Sequence, residues 1–99
     1  MLLIVGTVRL PANRLDSARA IMAGMIAASR AEKGCLEYSY AEDVLDRGPL
    51  HITERWKDRT ALDRHFNSAH LAEWRAAWPS IGIGERNLRL YEVGEALAI

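Results

Sequence analysis

The residues best suited to chemistry are His65, on a predicted helix, His70 just after it, and the pair Glu54 and Trp56 at the end of the preceding strand. An imidazole titrates near neutral pH, so a histidine in an apolar interior can accept a proton from a substrate. Helical spacing puts His65 on the same inward face as Phe66. His65 is therefore the first candidate for a catalytic base, and a hydrogen-bonded core histidine is the competing interpretation.

Two alternating stretches position these residues. Residues 36–40 carry a large side chain at every second position, and residues 50–56 alternate in the same way, with Glu54 and Trp56 on one face. The polar loop between them contains Gly48 just before a proline, which favours an antiparallel hairpin with a longer loop. The hairpin would carry the acidic and aromatic residues to the helix that bears the histidine.

The rest of the chain predicts two more strands and a long first helix. Residues 2–9 are apolar and rich in branched side chains, as in a central strand, and residues 83–93 form the last strand. The apolar stripe between them indicates a helix with Asn13 as its N-cap and Gly34 as its C-cap. A helix thus separates the first strand from the hairpin.

Capping residues indicate two helical segments after the hairpin. Asp58 is the expected N-cap of the helix that carries the first histidine. Ser68 can begin a second short segment, which carries Trp74 and Trp78 one turn apart and ends before Pro79. The two tryptophans are expected to pack this segment against the sheet or a partner.

The order strand, helix, strand, strand, helix, strand predicts an α+β fold of the ferredoxin-like βαββαβ type, with a four-stranded antiparallel sheet and both helices on one face. The 99 residues form one domain, 1–99. The strands carry apolar or aromatic residues on both faces, so the face without helices needs a cover. A second copy of the chain is the simplest cover, and we predict a homodimer.

Composition excludes several classes of protein. Thirteen basic and thirteen acidic residues cancel, so nucleic acid is not an expected partner. Cys35 is the single cysteine, which rules out an internal disulfide or a multi-cysteine metal site. The apolar start of the chain is far shorter than a bilayer span and lacks a basic leader, so we expect a cytoplasmic protein without a membrane partner.

Three sequence blocks resemble the antibiotic biosynthesis monooxygenase (ABM) family of dimeric α+β barrels, and its quinol monooxygenase-like members in particular. The blocks are EKGCLEY at residues 32–38, ITERWKD at residues 52–58 and ALDRHFNSAH at residues 61–70. They arrive in the order and at the spacing of the family. The resemblance covers nearly the whole chain and implies a cavity between sheet and helices in each protomer.

The resemblance also implies an activity. Members of the family oxidise quinols, anthrones and similar electron-rich aromatics with molecular oxygen as co-substrate and with no metal or flavin cofactor. A phenol deprotonated in an apolar pocket can pass an electron to oxygen directly. Such a protein needs a base for the hydroxyl group, a dry cavity and aromatic walls that hold the ring.

Carried over residue by residue, the resemblance makes His65 the proton acceptor in a cavity whose walls include Trp56 and Phe66. His70 either reaches the cavity mouth or caps the helix junction. Tyr38 is a candidate substrate contact if its strand face lines the cavity rather than the dimer interface, and alternation alone leaves both possibilities open.

Glu54 is expected to be structural, because a half-buried glutamate usually pairs with a cation; Arg55 and Arg86 across the dimer are the candidates. A haem-degrading branch of the same superfamily uses an asparagine, a tryptophan and a histidine at positions that hold Thr7, His65 and Arg75 here. All three depart from that pattern, so haem degradation is not expected.

A metal site is not expected either. His51, His65 and His70 lack a spacing that would bring them together as ligands on one helix face.

Two other functions remain open on the same scaffold. One is a non-oxidative isomerase or dehydratase, since such folds host several chemistries. The other is a non-catalytic dimeric module that binds a small molecule. A closed apolar cavity of roughly a few hundred Å³ that reaches His65 would favour an enzyme. A pocket filled by Phe66, Met22 and Trp74 would favour the binding module.

Overall fold

The computed structural model describes all 99 residues as a sheet of four antiparallel strands with three helices. The elements are β1 (Leu2–Arg9), a 3₁₀ turn (Ala12–Arg14), α1 (Leu15–Arg30), β2 (Cys35–Glu42), β3 (Pro49–Trp56), α2 (Arg59–Phe66), α3 (Ala69–Ile81) and β4 (Arg86–Glu92). The strand order is β2-β3-β1-β4. The predicted α+β ferredoxin-like fold is confirmed, with its second helical region divided into α2 and α3.

Strand β1 is central, as predicted, and Gly6 is what allows β4 to pair with it. Gly6 has φ of +152°, and a Cβ atom there would lie 1.9 Å from the carbonyl oxygen of Asn87 on β4. Only glycine fits this close approach. Gly6 therefore allows β4 to pair with β1 in the observed register, in which Ile4 lies opposite Leu90. Strand β4 forms one side of the functional site.

The β2–β3 hairpin decides which face carries the tyrosines. Tyr38 lies opposite Glu54 in the ladder, and Tyr40 lies opposite Ile52. Cross-strand partners point to the same side of a sheet. Tyr38, Glu54 and Ile52 are all buried under the helices, so this pair of tyrosines faces the helical layer. The predicted placement of Glu54 and Trp56 on one face of β3 is also confirmed, and both side chains are buried.

Helix α1 differs from its prediction at both ends. Asn13 lies in the 3₁₀ turn and caps nothing; α1 begins at Leu15 after Arg14. At the other end α1 stops at Arg30, and Gly34 belongs to the turn that enters β2. Gly34 has φ of +85°, and a Cβ there would lie 2.6 Å from the Cβ of Ala61 on α2. A glycine is required at this position because the backbone packs closely against α2, and not because it caps α1.

The caps of α2 and α3 are confirmed. The Asp58 side chain accepts a hydrogen bond from the backbone of Ala61 at 2.9 Å, and Ser68 accepts one from the backbone of Leu71 at 3.3 Å. Asp58 fixes the start of α2, and Ser68 fixes the corner between α2 and α3, next to which His65 lies.

The predicted end of α3 at Pro79 is wrong. Pro79 lies inside the last turn, where it removes one backbone donor without breaking the helix, and α3 continues to Ile81. Gly82, with φ of +90°, then closes the helix by donating its N–H to the carbonyl of Trp78 at 2.9 Å. The last strand is correspondingly shorter than predicted.

The sheet face that the helices leave uncovered is partly exposed. Leu3, Val5 and Thr53 lie on it at intermediate exposure, and β4 is exposed along its whole length. The homodimer that would cover this face stays a prediction. None of the helices combines the length and the hydropathy needed to cross a bilayer.

Candidate functional site

A cavity of about 220 Å³ lies between the sheet and helices α2 and α3 and opens beside β4. Its apolar walls include Ile4, Leu71, Leu88 and Leu90, and its polar groups include Tyr38, Tyr40, Glu54 and His65. The residues come from all four strands and both short helices, so the fold itself assembles the site. An apolar cavity with a few convergent polar groups is the usual form of a small-molecule site.

His65 is oriented by a carboxylate that the sequence did not reveal. Its Nδ1 lies 2.8 Å from Oε2 of Glu32, and the imidazole is buried. The carboxylate can only accept, so Nδ1 carries the proton and Nε2 keeps a free lone pair. Glu32 reaches this position because α1 ends at Arg30. The one signal in the sequence is that Glu32 stands two residues before Gly34 in the first of the blocks quoted above.

The surroundings of His65 keep it neutral. The ring centroid of Trp56 lies 4.7 Å from that of the imidazole, and the centroid of Tyr38 lies 5.2 Å away. Burial among these rings lowers the pKa of His65, although Glu32 acts in the opposite direction. A neutral imidazole with an unprotonated Nε2 is the form that can accept a proton.

Glu54 is a buried carboxyl group in the lining of the cavity. Its Oε1 accepts a hydrogen bond from Nε1 of Trp56 at 3.0 Å and lies 3.9 Å from Nε2 of His65. Burial raises the pKa of Glu54 to about 7. The ion pair predicted with Arg55 or Arg86 across the dimer stays a prediction; within the chain Glu54 pairs with neither, because Arg55 pairs with Glu37 at 2.8 Å and Arg86 lies against an aromatic ring. Glu54 is therefore a group that can gain or lose a proton near neutral pH.

The predicted aromatic contacts are only partly brought to the cavity. Tyr38 lines it, and so does Phe66, which is 39% exposed at the rim rather than buried as expected. Trp56 is fully buried behind His65 and does not line the cavity. Trp78 does line it, although the sequence predicted only a packing role. Its spacing along α3 carried no signal that would separate the two roles.

His70 adopts neither of the two predicted roles. It does not line the cavity, and Ser68 caps the helix junction instead. Nε2 of His70 lies 3.1 Å from Oε1 of Glu32, but outside hydrogen-bonding geometry, so this buried nitrogen is unsatisfied. His70 thus lies beside Glu32 and His65, outside the lining of the cavity.

His70, Glu32 and His65 form a cluster that could hold a metal ion. Glu32, His65 and His70 each offer a donor atom, and these atoms lie within 4.8 Å of one another. The expectation of no metal site rested on the spacing of the histidines, which says nothing about a carboxylate from another segment. Divalent cations such as Zn²⁺ accept such ligands. A cation on Nδ1 of His65 would leave the proton on Nε2, so the imidazole can be ligand or base at one time but not both.

The arrangement is suited to proton transfer in an apolar space. A neutral imidazole fixed by Glu32 can take a proton from a hydroxyl group in the cavity, and Glu54 can exchange one nearby. Tyr38 and Tyr40 face the same space, and burial raises the pKa of both phenols, so they stay protonated.

Solved structures share the fold over the whole chain. A Deinococcus radiodurans protein provisionally assigned to the antibiotic biosynthesis monooxygenases is 28% identical, with a TM-score of 0.90 over 100% of this chain and 98% of that one. The solved structure of Rv0793 from Mycobacterium tuberculosis has a TM-score of 0.84 over 98% of each chain, and the two aligned sequences are 26% identical.

Two curated relatives match in sequence. Rv0793, which is provisionally named a monooxygenase, is 43% identical over 58 residues, or 59% of this chain and 56% of its own. The uncharacterised protein sll1783 of Synechocystis is 26% identical over 94 residues, or 95% of this chain and 64% of its own. The chain therefore spans less than two thirds of the length of either curated relative.

One family model matches residues 1–77, a range that includes Glu32, Glu54 and His65 but ends before Trp78 and β4. Its description is "Antibiotic biosynthesis monooxygenase". The match covers most of the chain and agrees with the resemblance seen in the three sequence blocks. The chain belongs to the antibiotic biosynthesis monooxygenase family.

Proposed function

We propose that this protein is a monooxygenase that oxidises a small quinol-like aromatic with molecular oxygen and no cofactor. The observation that carries the proposal is the neutral His65, whose Nδ1 is held by Glu32 and whose Nε2 is free on the cavity side. Membership of the family supports an oxidoreductase role. The name given to Rv0793 supports the same role.

The chemistry needs one base and no external reductant. Nε2 of His65 takes the proton of a ring hydroxyl, and the resulting anion passes one electron to oxygen. The two radicals then join in a carbon–oxygen bond, and the peroxide formed loses water. One oxygen atom stays in the product and the other leaves in that water, so the substrate supplies all the electrons. The apolar walls exclude solvent from the charged intermediate.

The size of the cavity favours quinols over anthrones. Its volume of about 220 Å³ is below the range of about 300–1,000 Å³ usual for drug-sized ligands. A ring system of one or two rings suits that volume better than three fused rings. We further propose that the protein acts as a homodimer, in which a second copy covers the exposed face of the sheet around Leu3 and Val5.

Oxygen uptake by the metal-stripped protein tests the proposal. We expect reduced naphthoquinols to be consumed faster than in buffer, with EDTA without effect and one atom of labelled oxygen in the product. Absence of uptake with every quinol, or uptake that returns only when a metal is added, would contradict it. Conversion of a substrate under anaerobic conditions would instead indicate the isomerase or dehydratase alternative.

A further inference from the structure

Two arginines stand at the mouth of the cavity without a carboxylate partner. Arg75 on α3 and Arg86 on β4 both line the opening, and neither forms an ion pair. Each lies instead against an aromatic ring: Cζ of Arg75 is 5.8 Å from the centroid of Phe66, and Cζ of Arg86 is 4.6 Å from the centroid of Trp78. The rings hold the guanidinium groups at the rim while leaving their N–H donors unused.

The two ends of the cavity therefore carry different ionisable groups. The deep end holds His65 and Glu54, which can each take up or release a proton, and the mouth holds Arg75 and Arg86, which are permanently positive. Arg89 also borders the cavity, but it lies opposite Val5 in the ladder, which directs its side chain to the other face of the sheet. A ligand that fills the space meets a base at one end and cationic donors at the other.

We propose that the ligand of this cavity is a small hydroxyaromatic carboxylate, with its hydroxyl group at His65 and its carboxylate at Arg75 and Arg86. Guanidinium groups present planar pairs of donors that match a carboxylate in two parallel hydrogen bonds. A neutral quinol would leave both arginines in water and gain nothing from them. The inference rests on the proposed function, because that function sets which end of the ligand faces His65.

The expected preference for an acidic ligand is measurable. Hydrogen bonds to charged groups contribute about 1.5–3 kcal/mol each, which corresponds to at least about tenfold in affinity for one bond. The probes are β-naphthol and the hydroxynaphthoate that carries a carboxylate at the far end of the same two-ring frame. Their Kd values are compared by calorimetry on the full chain at neutral pH and low salt.

We expect the hydroxynaphthoate to bind at least about tenfold more tightly than β-naphthol. The variants Arg75→Gln and Arg86→Gln each reduce that preference, taken as the ratio of the two Kd values, by about fivefold or more. Arg64→Gln is the matched control: Arg64 is exposed on α2, forms no ion pair and does not line the cavity. It should leave both affinities unchanged.

Three results would overturn the inference: equal affinities for the two probes, a preference that survives when Arg75 and Arg86 are both replaced, or no measurable binding of either probe. Binding is measured under anaerobic conditions, where the probes cannot be oxidised by oxygen, so this outcome is separate from the test of the activity. A carboxylate preference without oxygen uptake would contradict the monooxygenase proposal alone. Oxygen uptake without a carboxylate preference would contradict only the inference drawn from the arginines.

Discussion

Replacing His65 by glutamine lowers kcat/KM for quinol oxidation by about 10²- to 10⁴-fold, the usual contribution of a positioned general base. Glutamine fills most of the space of the imidazole, and its amide can still donate a hydrogen bond to Glu32. It cannot accept a proton, so the substrate hydroxyl keeps its hydrogen and the electron transfer to oxygen slows. Initial rates of oxygen uptake, with substrate below KM, give the ratio directly.

The control for this variant is His51→Gln. His51 is exposed on β3, where its Nε2 lies 2.7 Å from Oδ2 of Asp43 in the hairpin loop, and it does not line the cavity. The control should keep the wild-type rate. Thermal unfolding of both variants separates loss of a base from loss of the fold. A His65→Gln protein that is folded and keeps more than about a third of the wild-type kcat/KM would exclude His65 as the base.

Replacing Glu54 by glutamine makes the protein more stable than the wild type above neutral pH. The folded state raises the pKa of Glu54 from 4.5 to about 7, so the folded state binds this proton more tightly than the unfolded state does. The stabilisation is fully present below pH 4.5, the ordinary pKa, and is lost as the pH rises through about 7. The shift corresponds to a loss of about 3 kcal/mol in the free energy of unfolding.

Glutamine removes this dependence because it has no proton to lose, and its amide oxygen can still accept the hydrogen bond from Trp56. Denaturant unfolding at about pH 5 and about pH 8 gives the free energy of unfolding of both proteins. From the lower to the higher pH, this free energy should rise by about 2–3 kcal/mol in the variant relative to the wild type. Glu73→Gln is the control, since Glu73 is exposed on α3 and forms no ion pair. A difference between Glu54→Gln and wild type that does not change with pH would show that Glu54 is charged throughout.

His65 acts on stability in the opposite direction. Its pKa is lowered in the folded state from the ordinary 6.5, so the folded state binds that proton less tightly than the unfolded state. The stability that this contributes is present above pH 6.5 and is lost as the pH falls through the folded-state pKa. The stability of the wild-type protein is thus reduced by His65 at acidic pH and by Glu54 at alkaline pH.

Local patterns in the sequence were enough to predict the frame of the site. Alternation along β3 put Glu54 and Trp56 on one buried face, and helical spacing turned His65 inward. These periods depend only on backbone geometry, which tertiary contacts do not alter. The caps at Asp58 and Ser68 were predictable for the same reason, since each bonds to a residue three positions away.

The contacts that orient the base depend on distant segments and were not predictable. The predicted C-cap at Gly34 would place Glu32 in the last turn of α1, yet the helix stops at Arg30 and Gly34 packs against Ala61, 27 positions along the chain. The sides taken by Tyr38 and Tyr40 followed from the pairing of β2 with β3, which alternation alone does not fix. Each of these outcomes was decided by packing between elements rather than within one.

The protonation state of His65 is the most direct test of the proposed base. Long-range proton–nitrogen NMR on the nitrogen-labelled protein reports which ring nitrogen carries hydrogen, and a pH titration gives the pKa. We expect a neutral ring with the proton on Nδ1, a free Nε2 and a pKa below 6.5, and we expect the Glu32→Gln variant to lose this preference between the two nitrogens. A proton on Nε2, or a doubly protonated ring at neutral pH, would contradict the role of His65 as a proton acceptor.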